Sequence, residues 1–193
     1  DVADATSEVT LPRCSPGLNP GPLGTHRGDL AEDFSLDLVG GGTLHLATAF
    51  TGCESFVFIA DGIPVSVLDP TSIWQSDEDL ADLLDLSPDD VHYVFISTAS
   101  AEVATASLAG LASRIEALLA GMGDSVASHW RAHLHVVAVP ARDLADWPGA
   151  AIIGHLAGGF GIDHAQRIRG LGNLADVTRY DPALAAAEQW PWR

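Results

Sequence analysis

Three histidines in the second half of the sequence, His129, His133 and His135, are its densest set of candidate metal ligands. On a helix, His129 and His133 share one face four residues apart, a spacing at which two imidazoles can bind one metal ion. His135 would then lie just inside a following strand. No glutamate follows His129, so the zinc-protease motif is absent. Surface or helix-capping histidines are the simpler interpretation, and a copper or zinc site is kept as an alternative.

The two cysteines, Cys14 and Cys53, are too few for a disulfide scaffold and lack the spacing of a zinc knuckle. A bridge between them would close a loop of about 40 residues and contribute about 3–4 kcal/mol in the chain-entropy treatment. We favour this disulfide, and two reduced, buried thiols are the alternative. A catalytic thiol at Cys53 is less favoured, because the adjacent carboxylate of Glu54 opposes formation of the thiolate.

The acidic and glycine-rich segments do not match known ligand loops. The carboxylates at positions 77–79, 82 and 85 lack the spacing of an EF-hand, and the solvated first turns of a helix explain them better. The glycines at 40–42 and 158–161 lack the lysine of a phosphate-binding loop and indicate turns. The sequence contains no Gly-x-Ser-x-Gly segment, the motif that would indicate a hydrolase. We therefore predict no bound cofactor.

The formal net charge of −17 and the complete absence of lysine restrict the possible partners. Nucleic acid and anionic membrane surfaces are disfavoured, because both require a basic patch. No apolar run approaches the ~18 residues of a membrane span, so we expect no transmembrane helix. The first residue is Asp1, which is explained by a processed export signal or equally by a trimmed sequence. A disulfide would agree with export, so we expect an exported protein.

Apolar periodicity predicts the elements that would position these residues. Residues 1–27 are predicted to form an irregular N-terminal arm, and residues 28–193 one domain. Strands alternating with helices predict an α/β fold whose mainly parallel central sheet carries helices on both faces, together with an N-terminal hairpin. The predicted strands are 33–38 and 43–46 in the hairpin, then 56–60, 91–97, 134–139, 152–153, 160–162 and 167–169. One predicted helix begins after Ser76. The other predicted helices cover 101–120, 125–132, 142–146 and 173–187.

The order of these segments resembles the redoxin branch of the thioredoxin-like superfamily, which holds peroxiredoxins, TlpA-like thioredoxins and Sco-type copper chaperones. Residues 28–36 (GDLAEDFSL) are similar to the opening G–x–x–A–P–D–F–x–L of that branch. Phe50-Thr51-Gly52 is similar to the segment before its first core strand. Residues 160–172 resemble its late F–x–I–D–x–x–G–x–I hairpin. Each motif is weak alone, and their order over residues 28–175 carries the resemblance, which implies the thioredoxin-like fold.

The chain departs from this superfamily at the reactive site. The resemblance would place a Cys-x-x-Cys or a single peroxidatic cysteine after the first core strand, at a helix N-terminus that favours the thiolate. That segment, residues 60–66, reads ADGIPVS and contains no cysteine. Cys53 precedes the strand instead. The resemblance therefore implies the fold and argues against both the dithiol chemistry and a Sco-like copper site.

These observations lead to three hypotheses on function. The leading one is a non-catalytic thioredoxin-like module of an exported protein, which binds a protein partner or an adjacent domain of the same chain. Its predicted binding surface is the apolar segment that replaces the active-site loop, represented by Ile63, Pro64, Val65 and Trp74. The second is a thiol-dependent oxidoreductase or peroxidase using Cys53 with Cys14. The third is a metal-binding domain. The terminal residues 190–193 (WPWR) are as consistent with continuation into a longer protein as with packing on this one.

Overall fold

A computed structural model describes residues 14, 17–61, 74, 76–144, 146–156 and 159–170. The strands are β1 (Ser35–Asp37), β2 (Thr43–His45), β3 (Ser55–Ala60), β4 (Val91–Ile96), β5 (Leu134–Val136), β6 (Gly159–Ile162) and β7 (Ile168–Gly170). The helices are α1 (Leu46–Ala49), α2 (Asp77–Leu86), α3 (Ala101–Leu119), α4 (Asp124–His133) and α5 (Pro148–Leu156), with a 3-10 turn at Ala141–Asp143.

The central sheet has five strands in the order β5-β4-β3-β6-β7. Strands β3, β4 and β5 are parallel, whereas β6 runs antiparallel to both β3 and β7. The sheet is therefore mixed, although four of its strands share one direction. The hairpin β1–β2 forms a separate antiparallel pair. This mixed α/β arrangement is consistent with the predicted thioredoxin-like fold.

Both faces of the sheet are buried, as the continuous apolar runs of β3 and β4 predicted. Because successive side chains in a strand point to opposite faces, the residues of β3 divide between two core clusters. Val57 and Ile59 pack with side chains from α2, α3 and α4. Phe56 and Phe58 pack with side chains from the hairpin, α1 and α5.

Backbone segments outside the sheet cover both of its edges. At the β7 edge, the N–H of Gly28 donates to the carbonyl of Ile168 over 2.8 Å, and the N–H of Ile168 donates to Asp29 over 2.9 Å. At the β5 edge, the N–H of Val39 donates to the carbonyl of Val136 over 2.8 Å. The turn that carries Val39 continues through three glycines with φ of 87°, 100° and 88° at positions 40–42, which other residues rarely adopt. Paired edges of this kind are protected from aggregation.

Helix α3 follows the predicted 3.6-residue period closely. Its buried stripe consists of Ala104, Leu108, Leu111, Ile115 and Leu119. By length and composition alone, residues 101–120 could also cross a membrane, with a mean hydropathy of 1.3. Charged residues such as Glu102 and Arg114 interrupt this helix, so it contains no continuous apolar run of that length. One such helix is weak evidence for a span, because core helices meet the same criterion.

Two predictions about secondary structure need correction or qualification. Ile152 and Ile153 were predicted to form a strand but lie inside α5, where both are buried. A two-residue apolar run does not distinguish a strand from one face of a helix, so the flanking residues decided the outcome. The helix predicted over 173–187 and most of the N-terminal arm lie outside the described residues. Within that arm, residues 17–27 form no helix or extended strand.

Candidate functional site

Cys14 and Cys53 form a disulfide, in agreement with the favoured interpretation, and their Cα atoms lie 4.9 Å apart. Cys53 lies two residues before β3, at the edge where the parallel strands begin. We call this the amino edge of the sheet, and the opposite side its carboxyl edge. Both cysteines are exposed. The bridge therefore ties the N-terminal arm to the amino edge, away from the place where the superfamily resemblance puts a reactive thiol.

At the carboxyl edge, where that thiol would be expected, Asp61 directly follows β3. One carboxylate oxygen of Asp61 accepts a hydrogen bond from the Ser97 hydroxyl, and the other accepts from the Thr98 N–H over 2.5 Å. The Thr98 hydroxyl donates to the Asp61 carbonyl over 2.6 Å. Arg142 donates from Nη2 to the Thr98 carbonyl over 2.9 Å. Parallel strands bring these residues together, because β3 and β4 end at the same edge.

This arrangement joins the ends of two strands and offers little for catalysis. Both carboxylate oxygens of Asp61 already accept hydrogen bonds from protein donors, and the hydrogen bonds recorded for Ser97 do not involve a histidine. A hydroxyl nucleophile needs an adjacent general base to lose its proton. The described part of the carboxyl edge contains no thiol. Among the described residues, the Asp61 network therefore connects the ends of β3 and β4.

Four imidazoles assemble near the amino edge, and we name His92, His129, His133 and His135 the histidine cluster. The ring of His133 stacks on His129 with a centroid distance of 4.1 Å and on His92 at 4.3 Å. Nδ1 of His92 lies 3.0 Å from Nε2 of His135, within hydrogen-bonding distance. His92 also stacks on Phe56 at 4.6 Å. The cluster thus extends from the buried face of β3 to the end of α4.

Burial and mutual repulsion favour the uncharged form of three of the four rings, His92, His129 and His135. Burial, reinforced by the three other imidazoles, lowers the pKa of His92 to about 3. Burial, with a further contribution from His133, lowers the pKa of His135 to about 4. The pKa of His129 is also lowered, first by burial and then by His133, while Asp89 acts in the opposite direction. All three shifts favour the uncharged ring at neutral pH.

The structure brings together the three histidines named from the sequence but does not form a metal site from them. Among the described residues, no group of three or more His, Cys, Asp or Glu side chains is arranged to hold a metal ion. The rings stack face to face, whereas ligand nitrogens must converge on one point. Nδ1 of His133 is already engaged with the His129 carbonyl at 2.8 Å. The metal-binding alternative therefore gains no support from this geometry.

The predicted binding surface is only partly described. Ile63, Pro64 and Val65 lie outside the described residues. Trp74 was predicted to belong to that surface, but this was wrong, since it is 8% exposed and packs edge-on against Phe95 at 5.8 Å. Its carbonyl accepts a hydrogen bond from Nη1 of Arg114 over 2.6 Å. A large aromatic beside a central strand is more favourably buried than exposed.

Sequence reasoning missed His92 and the Asp61 network. His92 lies inside the run VHYVFI, which indicates a buried strand, and nothing local distinguishes its imidazole from a packed core residue. It joins His135 across 43 positions of sequence because β4 pairs with β5. The one available signal was that a polar residue in such a run must find a hydrogen-bonding partner.

No protein-family model and no curated protein matches the chain. Among solved structures, it is similar to a hypothetical protein from Sinorhizobium meliloti 1021, with 16% identity over 74% of this chain and 68% of the other and a TM-score of 0.40. It is similar to the C-terminal domain of a protein described as a thiol-disulfide oxidoreductase from Bacteroides thetaiotaomicron, with 13% identity, coverages of 75% and 84% and a TM-score of 0.42.

A third similar structure is the mitochondrial 2-cys peroxiredoxin from Plasmodium falciparum, with 16% identity, coverages of 81% and 90% and a TM-score of 0.40. These likenesses concern the fold and carry no argument about activity. The observation that bears on the fold is the strand order β5-β4-β3-β6-β7 with its parallel and antiparallel pairings.

Proposed function

We propose that this chain is a non-catalytic thioredoxin-like module, exported and used to bind a protein partner or an adjacent domain. The observation that carries the proposal is the placement of both cysteines in one disulfide at the amino edge. At the carboxyl edge the corresponding position after β3 is Asp61, whose carboxylate is fully engaged by Ser97 and Thr98. A carboxylate there cannot exchange disulfides, since that chemistry requires a thiolate.

The exported location rests on the same bond. Disulfides persist in oxidising compartments and are rare in the reducing cytosol. The Cys14–Cys53 bridge closes a sequence separation of 39 residues and fixes the N-terminal arm beside β3, which is a structural use of the two cysteines. The strongly negative charge of −17 favours a partner with a cationic contact surface over one that is itself acidic.

The exposure of Cys14 and Cys53 favours one competing function, a thiol-dependent oxidoreductase. An exposed disulfide can be attacked by an external thiolate, after which Cys53 or Cys14 leaves as a thiolate. Cys53 does not lie at a helix N-terminus, because only Glu54 separates it from β3. The feature that would lower the pKa of a reactive thiol is therefore missing around Cys53.

Insulin reduction and peroxide turnover distinguish the two functions. The wild-type protein and Cys53→Ser should both show only background rates in the presence of dithiothreitol. A Ser97→Ala variant is a matched control, because it removes a hydroxyl at the carboxyl edge and leaves both cysteines. Turnover by the wild type and by Ser97→Ala that disappears in Cys53→Ser would refute the non-catalytic module and establish the oxidoreductase.

A further inference from the structure

The histidine cluster connects three separate elements at one corner of the sheet. His129 and His133 belong to the last turns of α4, His92 to β4 and His135 to β5. His133 stacks on His129 of its own helix and on His92 of β4, and His92 is joined to His135 of β5 through ring nitrogens 3.0 Å apart. The end of α4 and the start of β5 are therefore attached to β4 through imidazoles.

The hydrogen bond between His92 and His135 requires at least one uncharged ring. The bond between Nδ1 of His92 and Nε2 of His135 needs one nitrogen to donate and the other to accept, so it cannot survive when both rings are protonated. A carbonyl can only accept, so Nδ1 of His133 donates to the His129 carbonyl and carries a hydrogen.

The surroundings supply little compensating charge. Asp89, in the loop before β4, opposes the lowering of the His129 pKa, whereas no carboxylate is among the causes of the pKa shifts of His92 and His135. On α4, Arg131 is directed to Glu116 of α3, with Nε 3.2 Å from the carboxylate. The neighbour contributed by β3 is Phe56, which carries no charge. The buried rings of His92 and His135 can therefore be protonated without a large free-energy cost only if the cluster opens.

We propose that the histidine cluster is a proton-operated latch, which holds the end of α4 and the start of β5 on the sheet at neutral pH and releases this corner in mildly acidic surroundings. Release separates α4 from β4, where Trp130 packs near Tyr93 at 6.5 Å. Trp130 is only 4% exposed in the closed form. Opening would uncover this indole together with Ala127 and create an apolar surface that is absent at neutral pH.

The lowered pKa values of His92 and His135 set the size of the effect. A ring that regains an ordinary pKa of about 6.5 on opening increases the open population about 30-fold between pH 7.5 and pH 5.0. The two buried rings together therefore increase it by up to about a thousandfold. The sign is fixed, because the open form binds more protons than the closed form throughout this interval.

Hydrogen–deuterium exchange of the full chain at pH 7.5 and 5.0, corrected for intrinsic rates, tests the latch. At pH 5.0 the protection factors of residues 124–136 should lie at least about tenfold below their values at pH 7.5 and at least about tenfold below those of β3 and β6. If residues 124–136 are as strongly protected as β3 and β6 at pH 5.0, they exchange through global unfolding and the proposal is wrong. This comparison needs only the wild-type protein, so it remains decisive if a variant fails to fold.

A double variant, His92→Leu with His135→Leu, removes both partners of the buried hydrogen bond and leaves neither nitrogen orphaned. It should lose most of the pH dependence in residues 124–136. The matched control, His26→Gln with His45→Gln, removes two exposed imidazoles outside the cluster and should behave as the wild type. Full pH dependence in the leucine variant, or its loss in the glutamine control, would overturn the latch.

Discussion

The turn between β6 and β7 contains a carboxylate whose removal should destabilise the whole domain. Asp163 is 1% exposed. Its Oδ1 accepts hydrogen bonds from the N–H groups of Ala165 and Arg167 over 2.9 and 2.8 Å. Its Oδ2 accepts from Nε and Nη2 of Arg169, each at 2.7 Å. One buried side chain thus satisfies two backbone donors and one guanidinium.

The expected cost of Asp163→Ala follows from these four bonds. Two backbone N–H groups lose their acceptor, at about 1 kcal/mol each or more where water cannot replace it. Arg169 loses both charge-assisted bonds, although its side chain is 31% exposed and water recovers part of that loss. Together these effects predict a decrease of about 3–5 kcal/mol in the free energy of unfolding. Asp163→Asn keeps one acceptor oxygen and should cost less.

Urea unfolding followed by far-ultraviolet circular dichroism measures this change. The matched control is Asp77→Ala, which removes the carboxylate of an ion pair with Arg114 whose Asp77 side chain is 77% exposed. We expect that exposed pair to contribute about 1 kcal/mol or less. If Asp163→Ala costs no more than Asp77→Ala, burial of the carboxylate does not determine its contribution and the reasoning fails.

Two further predictions concern pH and the disulfide. Because the pKa of His92 is lowered to about 3, the unfolded chain binds more protons below pH 6.5. The free energy of unfolding is therefore unaffected by this histidine above pH 6.5 and falls by up to about 5 kcal/mol toward pH 3. Urea unfolding at a series of pH values should show a smaller loss in His92→Leu. Cys14→Ser should lower the free energy of unfolding by about 3–4 kcal/mol, and dithiothreitol should produce the same loss in the wild type.

The latch and the non-catalytic module are independent proposals. The latch uses imidazoles of α4, β4 and β5, whereas the module rests on the cysteines and on Asp61 at the carboxyl edge. The disulfide and the histidine cluster nevertheless share the amino edge of the sheet, since Cys53 and His92 lie near the beginnings of neighbouring strands. Among the described residues, the disulfide and the histidine cluster thus both lie opposite the edge at which the resemblance would place a reactive thiol.

The sequence by itself determined the elements that carry their own local signal. The runs at 55–60 and 91–96 are apolar enough to exclude any exposed face, and both strands are buried at every position. The stripe of α3 specifies its buried face through a 3.6-residue period. The sequence predicts Ser76 as a helix N-cap, and the Ser76 hydroxyl accepts a hydrogen bond from the N–H of Asp79 over 3.2 Å.

Only the tertiary structure decided which distant residues meet. Nothing near His92 in sequence indicates His135, and the pairing of β4 with β5 brings them within 3.0 Å. Asp61 reaches Ser97 and Thr98 because two parallel strands end at the same edge. Local periodicity specifies the face on which a residue lies, whereas strand order and register specify its neighbours. The latter are set by packing of the whole chain, which no single segment encodes.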